Sequence, residues 1–144
     1  MPSAKNSVTI ARPAADVFAF LADGENEPTW RSGVKEIHRE GGAPAVGTIY
    51  RQKLAGPMGR TVPGDVEITT FEPDRRIAFR VIAGPVRPNG QYDIEPVDDR
   101  STRVTFSLEA TLSGLKKTMN GMVQKSMDAE VAALADLKRV METG

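Results

Sequence analysis

Two periods of apolar and polar positions divide this chain. Across residues 34–112 the period is two: Val66 and Ile68, then Ile77, Phe79 and Val81, then Tyr92 and Ile94, then Val104, Phe106, Leu108 and Ala110 each share a face, with charged or hydroxyl residues opposite. The pattern predicts strands at 34–40, 48–54, 65–71, 76–83, 91–95 and 102–112, and turn chemistry separates the first ones at Gly41-Gly42, Gly56-Pro57 and Pro73-Asp74. Val8 and Ile10 mark another strand at 7–11. Connections this short make the strands antiparallel neighbours, and about seven of them twist into a sheet with a concave dry face.

From residue 113 to 144 the period becomes helical. Leu115, Met119, Val123, Ala133, Leu137 and Met141 fall on one stripe, widened by Met122, Met127, Leu134 and Val140. At about 1.5 Å per residue a single helix here runs roughly 40 Å, so it needs a broad surface, which the concave face supplies. Ser126 and Glu130 fall in the same three-four alternation and are expected to point where the apolar groups point. Arg12-Pro13 opens an earlier helix carrying Val17, Phe18 and Leu21 and ending at Gly24, and residues 25–30 read as a second short helical turn or loop. The fold class is therefore α+β, with two short helices after the first strand and a curved antiparallel sheet wrapped around a long C-terminal helix.

Composition narrows the partners. A chain of 144 residues, 40% hydrophobic, is one domain spanning 1–144 with one sizeable core. Nineteen basic and nineteen acidic residues are interspersed, which leaves no electrostatic footprint for nucleic acid or an anionic membrane. Residues 1–6 lack the apolar core of a signal peptide, and no apolar run is long enough to span a bilayer. The expected address is cytoplasmic, without membrane insertion, as a monomer or homodimer.

Chemistry is bounded mostly by what the composition lacks. With no cysteine and a single histidine, His38, neither a metal site nor another cofactor is expected, and no Gly-x-Ser-x-Gly elbow or phosphate-cradling glycine loop is present. His38 reads as a surface or hydrogen-bonded structural histidine, and Asp98-Asp99 and the acids at 72–74 as solvated turn charge. What remains is a cavity lining. Tyr50 and Gln52 share parity with Leu54, and Tyr92 with Ile94, so they either present polar tips to a cavity or serve as satisfied core residues. Met119, Met122 and Met127 form an adaptable wall or are plain core, Val123, Phe79 and Phe106 count with the lining, Trp30 stands at the cavity mouth or anchors packing, and Met58 in the loop 56–64 is a candidate lid.

The order strand, two small helices, six strands and long terminal helix resembles the START-like helix-grip superfamily, in its polyketide cyclase/dehydrase and lipid-transport branch. The residues carrying the likeness are the run Arg12-Pro13-Ala14-Ala15-Asp16-Val17-Phe18, Asp23, Trp30, Val34, Val46-Gly47-Thr48, the stretch from Ile68 to Phe79, Thr102 to Phe106, Leu137-Lys138 and Glu142. They mark architecture and include no catalytic signature. The resemblance implies a cavity between sheet and terminal helix that binds a hydrophobic small molecule: a lipid, polyketide or aromatic compound. Two alternatives stay open: an aromatase/cyclase or dehydratase acting on a poly-β-keto chain, and a partner-binding module with a filled core. Glu130, with Ser126 one turn before it, is the candidate polar group of the lining and the one candidate proton carrier; its other reading is an ion pair with an arginine or lysine of the sheet or first strand.

Overall fold

The computed structural model describes residues 2–84, 86–111 and 118–143. β1 (Ser3–Ile10) leads through Pro13, an extended residue at φ −61°, into α1 (Ala14–Ala22), whose Val17, Phe18 and Leu21 are buried on one face. A 3₁₀ segment follows at Gly24–Thr29, started by the Asp23 carboxylate, which accepts from the Glu25 N–H at 3.1 Å. Its continuation places Glu27 and Arg31 one turn apart, with the Arg31 N–H on the Glu27 carbonyl at 2.8 Å, so both side chains turn inward together with Trp30.

The sheet comprises β2 (Val34–Glu40), β3 (Ile49–Ala55), β4 (Thr61–Pro63), β5 (Val66–Glu72), β6 (Arg76–Val81), β7 (Asn89–Asp98) and β8 (Ser101–Glu109) with β1, all pairs antiparallel. Seven strands follow the order β1-β8-β7-β6-β5-β3-β2, and the short β4 pairs with β3 off that path. The period-two reading holds on the inner face: Ile68, Ile77, Tyr92, Ile94, Val104, Phe106 and Leu108 are all buried. Burying an Ile or Phe side chain stabilises by about 1.5–3 kcal/mol, which gives the pattern its force. The strands at 7–11 and 91–95 are longer than the alternation predicts, because polar positions such as Lys5 and Asp98 pair with β8 through the backbone without needing an apolar face. β4 escaped prediction altogether, since Thr61-Val62-Pro63 is too short to show a period.

One seam is incomplete. β3 pairs with β5 only at Ile49↔Glu67 and Tyr50↔Val66, then leaves it and pairs with β4 from Lys53 onward. Gly64 makes the departure possible: its N–H bonds to the Gln52 carbonyl at 2.9 Å, and a Cβ there would stand 2.6 Å from Leu54 Cδ1.

The terminal helix runs as α2 (Asn120–Ala132) and α3 (Leu134–Thr143), joined at Ala133, whose backbone stays right-handed helical at φ −65°, ψ −11°. It is stitched to β1 along its length. Gln124 bonds the Ser3 backbone, Asn6 Nδ2 donates to the Val131 carbonyl at 3.0 Å, Lys138 Nζ donates to the Thr9 carbonyl at 2.7 Å, and Glu142 accepts from the Ala11 N–H at 2.8 Å. The expected start at 113 and the stripe member Leu115 lie outside the described residues.

The helix phase corrects the sequence reading. The buried positions are Val123, Met127, Val131, Leu134 and Leu137, whereas Ser126 is exposed, Met122 is 68% exposed and Glu130 sits on the flank. Apolar residues are dense enough on this segment to support two stripes about one residue apart, and docking on β1 and β8 selects the one through Val131.

Candidate functional site

The space inside the grip is divided in two by side chains. Under the 3₁₀ segment, Trp30, Phe79, Tyr92 and Phe106 form an aromatic cluster, with Tyr92 stacked on Phe106 at 4.5 Å between centroids and Trp30 edge-on to both at 6.2 and 6.4 Å. Phe79 lies on Gly90, where a Cβ would stand 2.2 Å from Phe79 Cζ, so only glycine leaves room for the ring. The void left beside this cluster has a volume of about 30 Å³, enough for a water and no more. Tyr50 closes its other side. The Tyr50 hydroxyl donates to the Ala22 carbonyl and accepts from the Gly24 N–H, both at 3.2 Å, so its polar tip is consumed by the chain itself.

The second space is a groove of about 320 Å³ between α2, the β3–β4 hairpin and the ends of β6 and β7. It opens where β3 and β5 part. Leu54, Val62, Phe79, Val81, Val86 and Pro88 wall one side; Met119, Met122, Val123 and Met127 wall the other. Ser126, Glu130, Arg31 and Gln52 bring polar atoms into this wall. A mostly apolar concavity of this size with a few convergent polar groups has the form of a small-molecule site.

Two of those polar groups, Arg31 and Glu130, belong to a largely buried network. Arg31 donates from Nη1 to Glu27 Oε2 at 3.0 Å, and from Nε at 2.9 Å and Nη2 at 2.5 Å to Glu130 Oε2. The Tyr92 hydroxyl donates to Glu27 Oε1 at 3.3 Å. Burial pushes the Glu27 carboxyl above its ordinary range despite the Arg31 guanidinium, and burial followed by the charge of Glu27 pushes the Tyr92 phenol well up. Burial would lower the Arg31 pKa, but the two carboxylates outweigh it and hold the guanidinium charged.

The structure thus redistributes the residues singled out from the sequence. Gln52, Phe79, Met119, Met122, Val123, Ser126 and Glu130 line the groove. Tyr50 and Tyr92 instead border the small void, and Trp30 and Phe106 line neither space, because their rings are spent on each other and on Tyr92. Glu130 is ion-paired, as its structural reading anticipated, but its partner comes from the turn that follows the 3₁₀ segment rather than from the sheet or first strand. His38 is on the outer face, its side chain 72% exposed, 3.6 Å from Glu36. Met58, 95% exposed, tips the β3–β4 hairpin in a left-handed conformation at φ 60°.

Glu27, Arg31 and Gly33 were missed as site residues. The available signal was the Glu-x-x-x-Arg spacing around the single tryptophan, which puts two opposite charges on the face of a helical turn that also carries a large apolar group. Among the described residues no group of three or more His, Cys, Asp or Glu is arranged to hold a metal ion, and no helix is long and apolar enough to cross a membrane.

A family model described as polyketide cyclase/dehydrase and lipid transport matches residues 1–142. No curated protein sequence matches the chain. Among solved structures, a Thermus thermophilus protein is 22% identical over 96% of this chain and 95% of its own, with a TM-score of 0.78. A START superfamily protein from Mycobacterium smegmatis is 16% identical, covering 98% of this chain and 97% of its own at a TM-score of 0.73. An aromatase/cyclase from Streptomyces sp. R1128 is 16% identical, covering 99% and 97% at a TM-score of 0.71. At these identities the likeness is one of fold: a curved sheet gripping a terminal helix.

Proposed function

From a chain that belongs to the polyketide cyclase/dehydrase and lipid-transport family, we propose a protein that binds a hydrophobic small molecule in the groove between α2 and the β3–β4 hairpin. The observation that carries this reading is the groove itself, about 320 Å³ with an apolar wall and four polar side chains. Its volume matches a molecule of two or three fused or linked rings better than a long diacyl lipid. The same volume disfavours a partner-binding module with a filled core. N-phenyl-1-naphthylamine, a neutral apolar dye, should bind the folded protein at one saturable site, and Val123→Trp should abolish that binding. Absence of saturable binding, with unfolding still cooperative, sinks the reading.

A catalytic reading has one observation in its favour: the Glu130 carboxylate stands on the groove wall, where a proton-moving group of a cyclase or dehydratase is required. Under that reading Glu130→Gln abolishes turnover of a poly-β-keto substrate while dye binding persists. Unchanged turnover removes Glu130 from the chemistry.

A further inference from the structure

Glu130 meets Arg31 with only one of its two oxygens. Nε and Nη2 of Arg31 both converge on Oε2, which leaves Oε1 as the outer oxygen of a carboxylate pinned in place. Oε1 lies over Gly33, another residue of the groove wall, and a Cβ on Gly33 would stand 3.2 Å from it. The glycine keeps this oxygen uncovered on the groove side. The surrounding charge also has a sign. Among the described lining residues Arg31 is the one cation, and it is already engaged by Glu27 and Glu130. One guanidinium against two carboxylates sums to −1, or to zero when Glu27 holds a proton, and in neither case to a positive site.

Resting on the binding role proposed above, we infer that the groove takes an apolar molecule carrying a hydroxyl donor, an alcohol or a phenol, whose O–H is accepted by Glu130 Oε1. A hydrogen bond to an ionised acceptor is among the stronger polar contacts, and here the acceptor is preorganised by Arg31. Ser126, one turn earlier on α2 and on the same wall, stands where it can share the donated group's oxygen. The same charge sum works against a ligand ending in a carboxylate, because a third anion would enter a site with no unspent cation. A free fatty acid is thus a poor occupant, and a hydroxylated polycyclic or phenolic compound a good one.

The test is displacement of N-phenyl-1-naphthylamine by three molecules sharing one skeleton: 2-naphthol, which donates; 2-methoxynaphthalene, which only accepts; and 2-naphthoate, which is anionic. Wild-type protein should bind 2-naphthol roughly 10- to 100-fold more tightly than 2-methoxynaphthalene, the range of a charge-assisted hydrogen bond, and 2-naphthoate least of all. Glu130→Gln should shrink the naphthol preference to about threefold or less and raise naphthoate affinity. Gly33→Ala, whose methyl would stand 3.2 Å from Oε1 and crowd it while both charges remain, should do the same to naphthol and supplies the answer if Glu130→Gln unfolds the chain. Equal binding of naphthol and methoxynaphthalene overturns the donor assignment while leaving the groove as a binding site. Tightest binding of naphthoate overturns it too, by making Arg31 the anchor. Displacement of the dye by none of the three overturns the groove reading along with it.

Discussion

The two spaces inside the grip are built from the same sheet and reach opposite outcomes. Beneath the 3₁₀ segment, Trp30, Tyr92 and Phe106 meet ring to ring and leave about 30 Å³; beside α2, Leu54, Val62 and Val81 face Met119, Met122 and Val123 and leave about 320 Å³. The difference lies in what each side presents to its neighbour. Large flat rings pack across a gap and fill it, whereas small aliphatic groups on a seam where two strands part cannot reach one another. The Arg31 network lies on the border between them, facing the filled side through Glu27 and the open side through Glu130. Open volume in this chain is thus a local property of the β3–β5 gap and not of the sheet as a whole.

That contrast is open to experiment. The largest effect should come from Arg31→Ala, which leaves Glu27 and Glu130 without their cation: a loss of about 3–5 kcal/mol in urea unfolding, on the scale of broken buried ion pairs. Retention of stability would mean that water already screens the border. Phe106→Ala should cost a comparable or slightly smaller amount, about 3–4 kcal/mol, and should create on the filled side a cavity able to take up xenon or benzene, so that the two sides become more alike. Tyr92→Phe removes only the hydroxyl that Glu27 accepts, for a loss of about 1 kcal/mol with the ring stack intact. On the open side Met122→Ala should change stability by less than about 0.5 kcal/mol, because the side chain is mostly exposed, yet weaken dye binding measurably.

The smallest effect separates the two sides by pH. Glu27 has its pKa raised by burial, so the native state holds that proton more tightly than the unfolded chain, and acidification through the range above 4.5 stabilises the filled side. Asp65 runs the other way. Burial alone would raise its pKa, but the Gln52 N–H at 2.9 Å and the Arg51 guanidinium at 2.9 Å outweigh burial and lower it. Its contribution is present above the unfolded value of 3.8 and is lost as the pH falls through the lower folded value, loosening the very seam at which the groove opens. In stability measured against pH, the advantage of wild type over Glu27→Gln should therefore grow on acidification, and its advantage over Asp65→Asn should shrink. Parallel curves for the two variants would show that neither shift is coupled to folding.

By itself the sequence determined the architecture, because period two from Val66 to Ala110 and the helical period from Met119 to Met141 record which face of each element avoids water, and that is decided residue by residue. It also placed Gln52, Phe79, Met119 and Val123 on inward faces. Parity tells which way a side chain points but not what it meets. Tyr50, Trp30 and Phe106 point inward like the groove residues, yet the chain's own carbonyls and rings consume them. Only the tertiary structure decided that Val131 and not Ser126 is buried, since α2 could turn by about one residue and still bury an apolar stripe until β1 and β8 selected its phase. Likewise Arg31 and Glu130 are 99 positions apart, and their meeting depends on where the 3₁₀ segment and the helix come to rest against each other, a long-range fact that no local spacing encodes.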